Sequence, residues 1–167
     1  SFDNIIEKYK SLYSKVMQIV KIPSFVAIGH GDLCFSNILY DKNSDFMIFV
    51  DPKDFSSSNE MWINPYYDVA KISHSICGKY DFFNNKQYNI LTNTDLKMDV
   101  NIEFNNQQYI KLFKKYLLNN GYDYNAVRVF EASLFLSMLP LHIDDENKIL
   151  GFILNAINIM EKVEKRL

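Results

Sequence analysis

Phe2, Ile5, Ile6, Tyr9, Leu12, Tyr13, Val16, Ile19 and Val20 return every three or four positions, which predicts an amphipathic helix over residues 3–21 that Pro23 ends. Val26-Ala27-Ile28 then reads as a short buried strand. Ile38-Leu39-Tyr40 and Phe46-Met47-Ile48-Phe49-Val50 flank the polar stretch Asp41-Lys42-Asn43-Ser44-Asp45, the signature of a β-hairpin. Such a hairpin folds the chain back and brings Asn37, at its start, near Asp51, at its end. Residues 52–64 show no period and read as a loop. Asn64-Pro65 is a helix start, with Asn at the N-cap and Pro in the first helical position, and Val69, Ile72, Ser73 and Ile76 trace one face before Gly78. Residues 83–94 are polar and rich in Asn. Leu96, Met98, Val100, Ile102 and Phe104 alternate strictly with polar residues, which predicts a half-buried strand, with a partner at 87–92. Residues 106–119 read as a helix stopped by Asn120-Gly121, and 125–140 as a nearly all-apolar helix at the centre of the core. A last helix, capped by Asp144 or Asp145, runs to the charged end at Lys162–Arg166. The predicted fold is α+β, mostly helical, in a single domain over residues 1–167.

Composition sharpens this picture in three ways. Hydrophobic residues make up 48% of the chain and aromatic residues 15%, carried by 13 Phe and 11 Tyr, so a filled core is expected rather than disorder. A net charge of -2 gives no basic footprint for nucleic acid. Cys34 and Cys77 form no C-x-x-C pair and read as free thiols, which points to a cytoplasmic location. The first residues include Asp3, Glu7 and Lys8 without the apolar segment of a signal peptide, and no run approaches the ~20 apolar residues of a membrane span.

The chemistry concentrates in His30-Gly31-Asp32-Leu33-Cys34-Phe35-Ser36-Asn37, followed by Phe49-Val50-Asp51. The spacing H-x-D-L-x-x-x-N is that of a kinase catalytic loop. In that pattern Asp32 accepts the proton of an attacking hydroxyl. Asn37 and Asp51 supply hard oxygens for Mg²⁺, which uses few protein ligands and leaves the rest to water and phosphate. The plainer alternatives are a loop aspartate capping a turn, for Asp32, and turn chemistry at the hairpin ends, for Asn37 and Asp51. His30 reads as structural, holding the loop's shape. A zinc site from His30, Asp32, Cys34 and His74 lacks recognisable ligand spacing. His74 and His142 fall in helical stretches as ordinary, partly buried histidines. Lys53 and Asp54 follow Asp51 at the mouth of the expected site, where Lys53 could meet phosphate or an acidic substrate and Asp54 a hydroxyl or a cation. Asp68, in the first turn of its helix, is favoured there by the helix dipole.

His30-Gly31-Asp32-Leu33 with Asn37, then Val50-Asp51-Pro52-Lys53, then Tyr67-Asp68-Val69-Ala70-Lys71 resembles the aminoglycoside phosphotransferase and choline kinase family over roughly residues 24–80. The resemblance implies a protein-kinase-like C-terminal lobe in which a small hairpin carries the catalytic and metal-binding loops. It implies transfer of the γ-phosphoryl group of ATP to a hydroxyl of a small molecule, an amino alcohol, aminoglycoside or sugar, with surface-polysaccharide biosynthesis as one setting. Asp32 would be the catalytic base, Asn37 and Asp51 the Mg²⁺ ligands, and Asp68 a buried aspartate bracing the catalytic loop. The family's N-terminal lobe has no counterpart: there are only 5 Gly, no G-x-G-x-x-G, and too few residues before position 24. The expectation is therefore a fragment of a longer protein, or a chain completed by a second one. A kinase-like binding or scaffold module without turnover is the alternative from a different class, and a metal-dependent hydrolase using the same acids is a third.

Overall fold

The computed structural model describes residues 1–167. Six helices are α1 (Phe2–Ile19), α2 (Tyr66–Ile76), α3 (Tyr80–Asn84), α4 (Gln107–Asn119), α5 (Tyr124–Ser137) and α6 (Glu146–Glu164). Six short strands are β1 (Ala27–Ile28), β2 (Ile38–Asp41), β3 (Phe46–Phe49), β4 (Trp62–Ile63), β5 (Asn89–Thr92) and β6 (Met98–Asn101). They pair into three separate two-stranded antiparallel sheets, β1 with β4, β2 with β3 and β5 with β6. The fold is α+β and mostly helical, and no helix is long and apolar enough to cross a membrane.

The core forms around α5, which packs against α6, α2 and α1. Val127, Val129, Ala132 and Phe135 on α5 are fully buried, as are Phe152, Ala156 and Met160 on α6. The nearly unbroken apolar sequence of α5 follows from this position, since a helix covered on all sides has no solvent stripe. Its two charges are buried as a pair: Arg128 Nη1 donates to both oxygens of Glu131, at 2.7 and 2.6 Å, and Ser73 Oγ of α2 also donates to Glu131. Helix α1 buries Leu12 and Val16 and leaves its charged face out, and it ends at Ile19, two residues earlier than expected.

Local chemistry explains the ends. Asn64 Oδ1 accepts the Tyr66 N–H at 2.9 Å, and Pro65 already has helical angles, so the expected Asn-Pro start of α2 is in place. Asp145 caps α6 by accepting the Lys148 N–H at 3.0 Å. Gly121 takes φ of 74° just past α4, the left-handed turn that ends a helix.

Several expectations are corrected. Val26 and Ile28 are exposed, so the short β1 run is not a buried strand. The segment 52–64 is not wholly irregular: it contains a 3₁₀ turn at Ser58–Met61 and β4, whose Trp62 and Ile63 pair with Ile28 and Ala27. Two-residue strands are too short to show a period. The strand expected over 96–104 shrinks to β6, because Leu96 sits in the turn with φ of 59° and is largely exposed. Helix α3 was not expected: its five residues begin before the polar stretch 83–94, and it is held by the fully buried Phe83 and by Tyr80, which stacks on His74. The helix expected over 125–140 stops at Ser137, and Leu139–His142 form a 3₁₀ turn.

Candidate active site

The loop from Gly29 to Asn37 is fixed mainly by backbone groups that have definite partners. Gly29 N–H donates to the Met61 carbonyl at 3.0 Å. The Asp68 carboxylate, projecting from the first turn of α2, accepts the His30 N–H at 2.7 Å and the Gly31 N–H at 2.8 Å. Asp68 is half-buried rather than buried, and it holds two successive amides of the loop at once. Ser75, two turns further along α2, accepts the Phe35 N–H at 2.9 Å, so one helix pins both ends of the loop. Gly31 has φ of 77°, and a Cβ there would fall 2.6 Å from the Lys53 Cβ, so glycine is required twice over.

His30 ties the loop to the hairpin. Its Nδ1 accepts the Asp32 N–H at 3.3 Å, which places the ring proton on Nε2, where it is donated to the Val50 carbonyl at 3.1 Å. The hairpin closes the other side, with the Val50 N–H donating to the Asn37 carbonyl at 2.9 Å and the Lys53 N–H to the His30 carbonyl at 2.9 Å. Asp51 lies between them with φ of 55°, a left-handed conformation that strains a non-glycine residue and is common at functional sites.

Asp32 is the centre of this framework. Asn37 Nδ2 donates to the Asp32 carbonyl at 2.8 Å and to its Oδ2 at 3.0 Å. The other carboxylate oxygen, Oδ1, meets Lys71 Nζ at 2.8 Å. Burial works against the charge on Lys71, but its bond to Asp32 and the field of that carboxylate outweigh it, and the ammonium titrates above the ordinary lysine value. The Asn37 Oδ1 and the Asp51 carboxylate accept no protein hydrogen bond.

Asp32, Asp51, Lys53 and Asp54 all line one open cleft of about 510 Å³. The cleft is also lined by Tyr67 and Lys71 from α2, Tyr80 from α3, and Met138, Leu141 and His142 from the turn after α5. The structure therefore brings Asp32, Asp51, Lys53 and Asp54 to one cleft, leaves Asn37 buried behind Asp32 and outside its lining, and adds residues that the sequence reading did not assign. Lys71 had a readable signal, since it lies three residues after Asp68 and so shares its helix face. His142 and Tyr80 had none, because only tertiary packing carries them to the cleft.

The zinc grouping does not form, as no three His, Cys, Asp or Glu side chains are placed to hold a metal ion. Cys34 is buried with its Sγ 3.1 Å from Ser36 Oγ, and burial pushes its thiol up. His74 is fully buried, not partly, and neither ring nitrogen has a partner. Comparison with known proteins finds no matching family model, no matching curated protein and no matching solved structure.

Proposed function

We propose that this chain is the acceptor-activating lobe of a small-molecule phosphotransferase, a kinase-like C-terminal lobe that moves the γ-phosphoryl group of ATP to an alcohol. The observation that carries the reading is the Asp32 carboxylate, held in the floor of an open cleft by Asn37 and Lys71 on a loop braced by Asp68. A base must be positioned before its pKa matters, and Asp32 is positioned from both oxygens. Asp32 would orient the acceptor hydroxyl and take its proton as the oxygen attacks phosphorus. Lys53 and Asp54 lie where they would meet the acceptor.

Asn37 and Asp51 fit Mg²⁺, since their oxygens are hard donors without protein partners and Mg²⁺ needs only one or two such groups beside phosphate. Bound there, the ion would neutralise phosphate charge. The reading also gives a role to an otherwise unexplained surface. Leu39, Tyr40, Phe46, Met47 and Ile48 of the hairpin, with Phe25, Val26, Ile28 and Trp62 beside β1 and β4, are all exposed. A nucleotide-covering lobe, in the same polypeptide or a second one, would cover apolar side chains of this set beside the loop.

The test is turnover of the full-length protein with Mg-ATP against a panel of amino alcohols, aminoglycosides and sugars, followed by ³¹P NMR. The wild type should phosphorylate one class. Asp32→Ala should lower that rate on the order of 10²–10⁴-fold with an unchanged melting temperature. Nucleotide binding without transfer to any acceptor would leave a kinase-like binding module in place of an enzyme. Phosphate released to water at the same rate with and without acceptor would leave a hydrolase.

A further inference from the structure

Asp32 and Lys71 form the one ion pair in the cleft, and its character is unusual. The Lys71 side chain is 12% exposed and that of Asp32 40%, so a largely buried ammonium reaches outward to a partner at the cleft floor. With its Asp32 end open to water, the attraction within the pair is screened and adds little to fold stability. Drawing an ammonium out of water is unfavourable, and Lys71 does so although a lysine stem could carry its charge into solvent. Fold stability therefore gives a weak account of this lysine. Its position gives a better one.

We infer that Lys71 is a catalytic residue of the phosphoryl transfer proposed above: its ammonium contacts the oxygens of the phosphoryl group in flight, on the acceptor side. The inference rests on that reading of the site. The acceptor hydroxyl must lie within hydrogen-bond reach of Asp32, roughly 2.6–3.2 Å, and phosphorus about 3–3.5 Å beyond the attacking oxygen. Lys71 Nζ is already 2.8 Å from Asp32 Oδ1. A small pivot of its four-carbon stem carries the charge to the equatorial phosphoryl oxygens, where the negative charge of the transition state is spread. The stem is flexible and the three N–H donors rotate freely, so contact with Asp32 and with phosphate can be exchanged or shared.

The balance of the step is simple. The acceptor oxygen forms its bond to phosphorus, the bond from phosphorus to the ADP oxygen breaks, and the hydroxyl proton passes to Asp32. Lys71 stays an ammonium throughout. It occupies one lone pair of Asp32 Oδ1 while Asn37 occupies one of Oδ2. Each oxygen keeps a second lone pair, so the base is oriented without being consumed. Helix α2 does both jobs from one face, because Asp68 braces the loop and Lys71, one turn on, supplies the charge.

The experiment compares wild type, Lys71→Met, Lys71→Arg, Asp32→Asn and the Lys71→Met/Asp32→Asn double variant in the full-length protein. The readouts are kcat, acceptor KM, melting temperature and the affinity for Mg-ADP with and without aluminium fluoride, a planar mimic of the transferring group. Lys71→Met should lose on the order of 10²–10³-fold in kcat, the range for removing one preorganised donor from a developing charge. Acceptor KM and Mg-ADP affinity should change little. The extra affinity brought by aluminium fluoride should disappear, and Lys71→Arg should recover part of it. Within the Asp32→Asn background the further loss should be smaller, since the two side chains act together. A Lys71→Met protein that keeps wild-type kcat, or that loses rate only in step with its melting temperature, overturns the inference while the wild type still transfers phosphate. A wild type that transfers no phosphate overturns the underlying reading of the site, and this inference with it.

Discussion

His74 is a fully buried side chain of α2. It stacks on Tyr80 at 4.3 Å between ring centroids and meets Phe135 edge-on at 4.0 Å, fully buried, with both ring nitrogens unpartnered. Burial pushes its pKa well below the ordinary histidine value, and the positive charges of Lys71 and Arg128 push the same way. The folded state therefore keeps His74 neutral, while the unfolded chain binds a proton near pH 6.5. Stability from this group is fully present above that pH and is lost as pH falls below it, at up to about 1.4 kcal/mol per pH unit. Glu131 works in the opposite sense. Burial pushes it up to about 7 against the pull of Arg128 and Ser73, so the folded state binds a proton the unfolded chain releases, and stability falls as pH rises from 4.5 to about 7. The two slopes oppose, so the informative measurement is the difference between wild type and His74→Leu. Urea midpoints at pH 7.5 and 5.5 should show the variant gaining on the wild type by about 1–2 kcal/mol at the lower pH. Equal differences at the two values would mean that His74 binds its proton as readily in the fold as in the unfolded chain.

Among the elements, α5 shows how far an apolar period can be trusted. The sequence places this helix correctly at the centre, yet its Arg128 and Glu131 look like flaws in an apolar run until the fold brings Ser73 of α2 against them. Spacing of three residues allowed the pair; only packing shows that it is shut away from water. Breaking such a pair leaves one charge buried and uncompensated. Glu131→Ala should cost about 3–5 kcal/mol in urea unfolding, while the Arg128→Met/Glu131→Leu double variant should recover most of it. A double variant as unstable as the single one would mean that Ser73 and the pair fix the α2–α5 packing rather than merely satisfying each other. The other elements divide by length. Helices α1, α4 and α6 and the β2–β3 hairpin show their periods over enough residues to be read directly. Helix α3, of five residues, and β1 and β4, of two each, are set by Phe83 and by pairing across 34 or more positions, which no local period records.

For the molecule as a whole, the site was legible where it is local and illegible where it is assembled. Asp32 and Asn37 lie within one loop and Asp51 at the end of the adjoining hairpin, so the return of the chain that sets Val50 against Asn37 follows from a turn. The lining by Tyr67, Tyr80 and His142 depends on how α2, α3 and the turn after α5 dock, and a single sequence does not carry that. The exposed apolar face beside the site belongs to the same scale. Three two-stranded sheets cannot bury both of their own faces, and here Leu39 and Ile48 on one side of the hairpin and Tyr40 and Met47 on the other all remain open. Apolar side chains left open on both sides of a hairpin mark a place where something docks. Trp62 of β4 is 52% exposed and is the one tryptophan of the chain, so its fluorescence reports on the β1–β4 side of the loop. In the chain alone its emission should be red-shifted and strongly quenched by acrylamide. When a nucleotide-covering lobe is supplied, in the same polypeptide or added separately, the emission should move to the blue and quenching should fall. The Leu39→Asn/Met47→Asn variant, altered only at exposed hairpin positions, should keep its melting temperature and lose that response. A blue-shifted, poorly quenched Trp62 at every concentration of the isolated chain would mean that this chain already covers the face, and the place for a covering lobe would be gone.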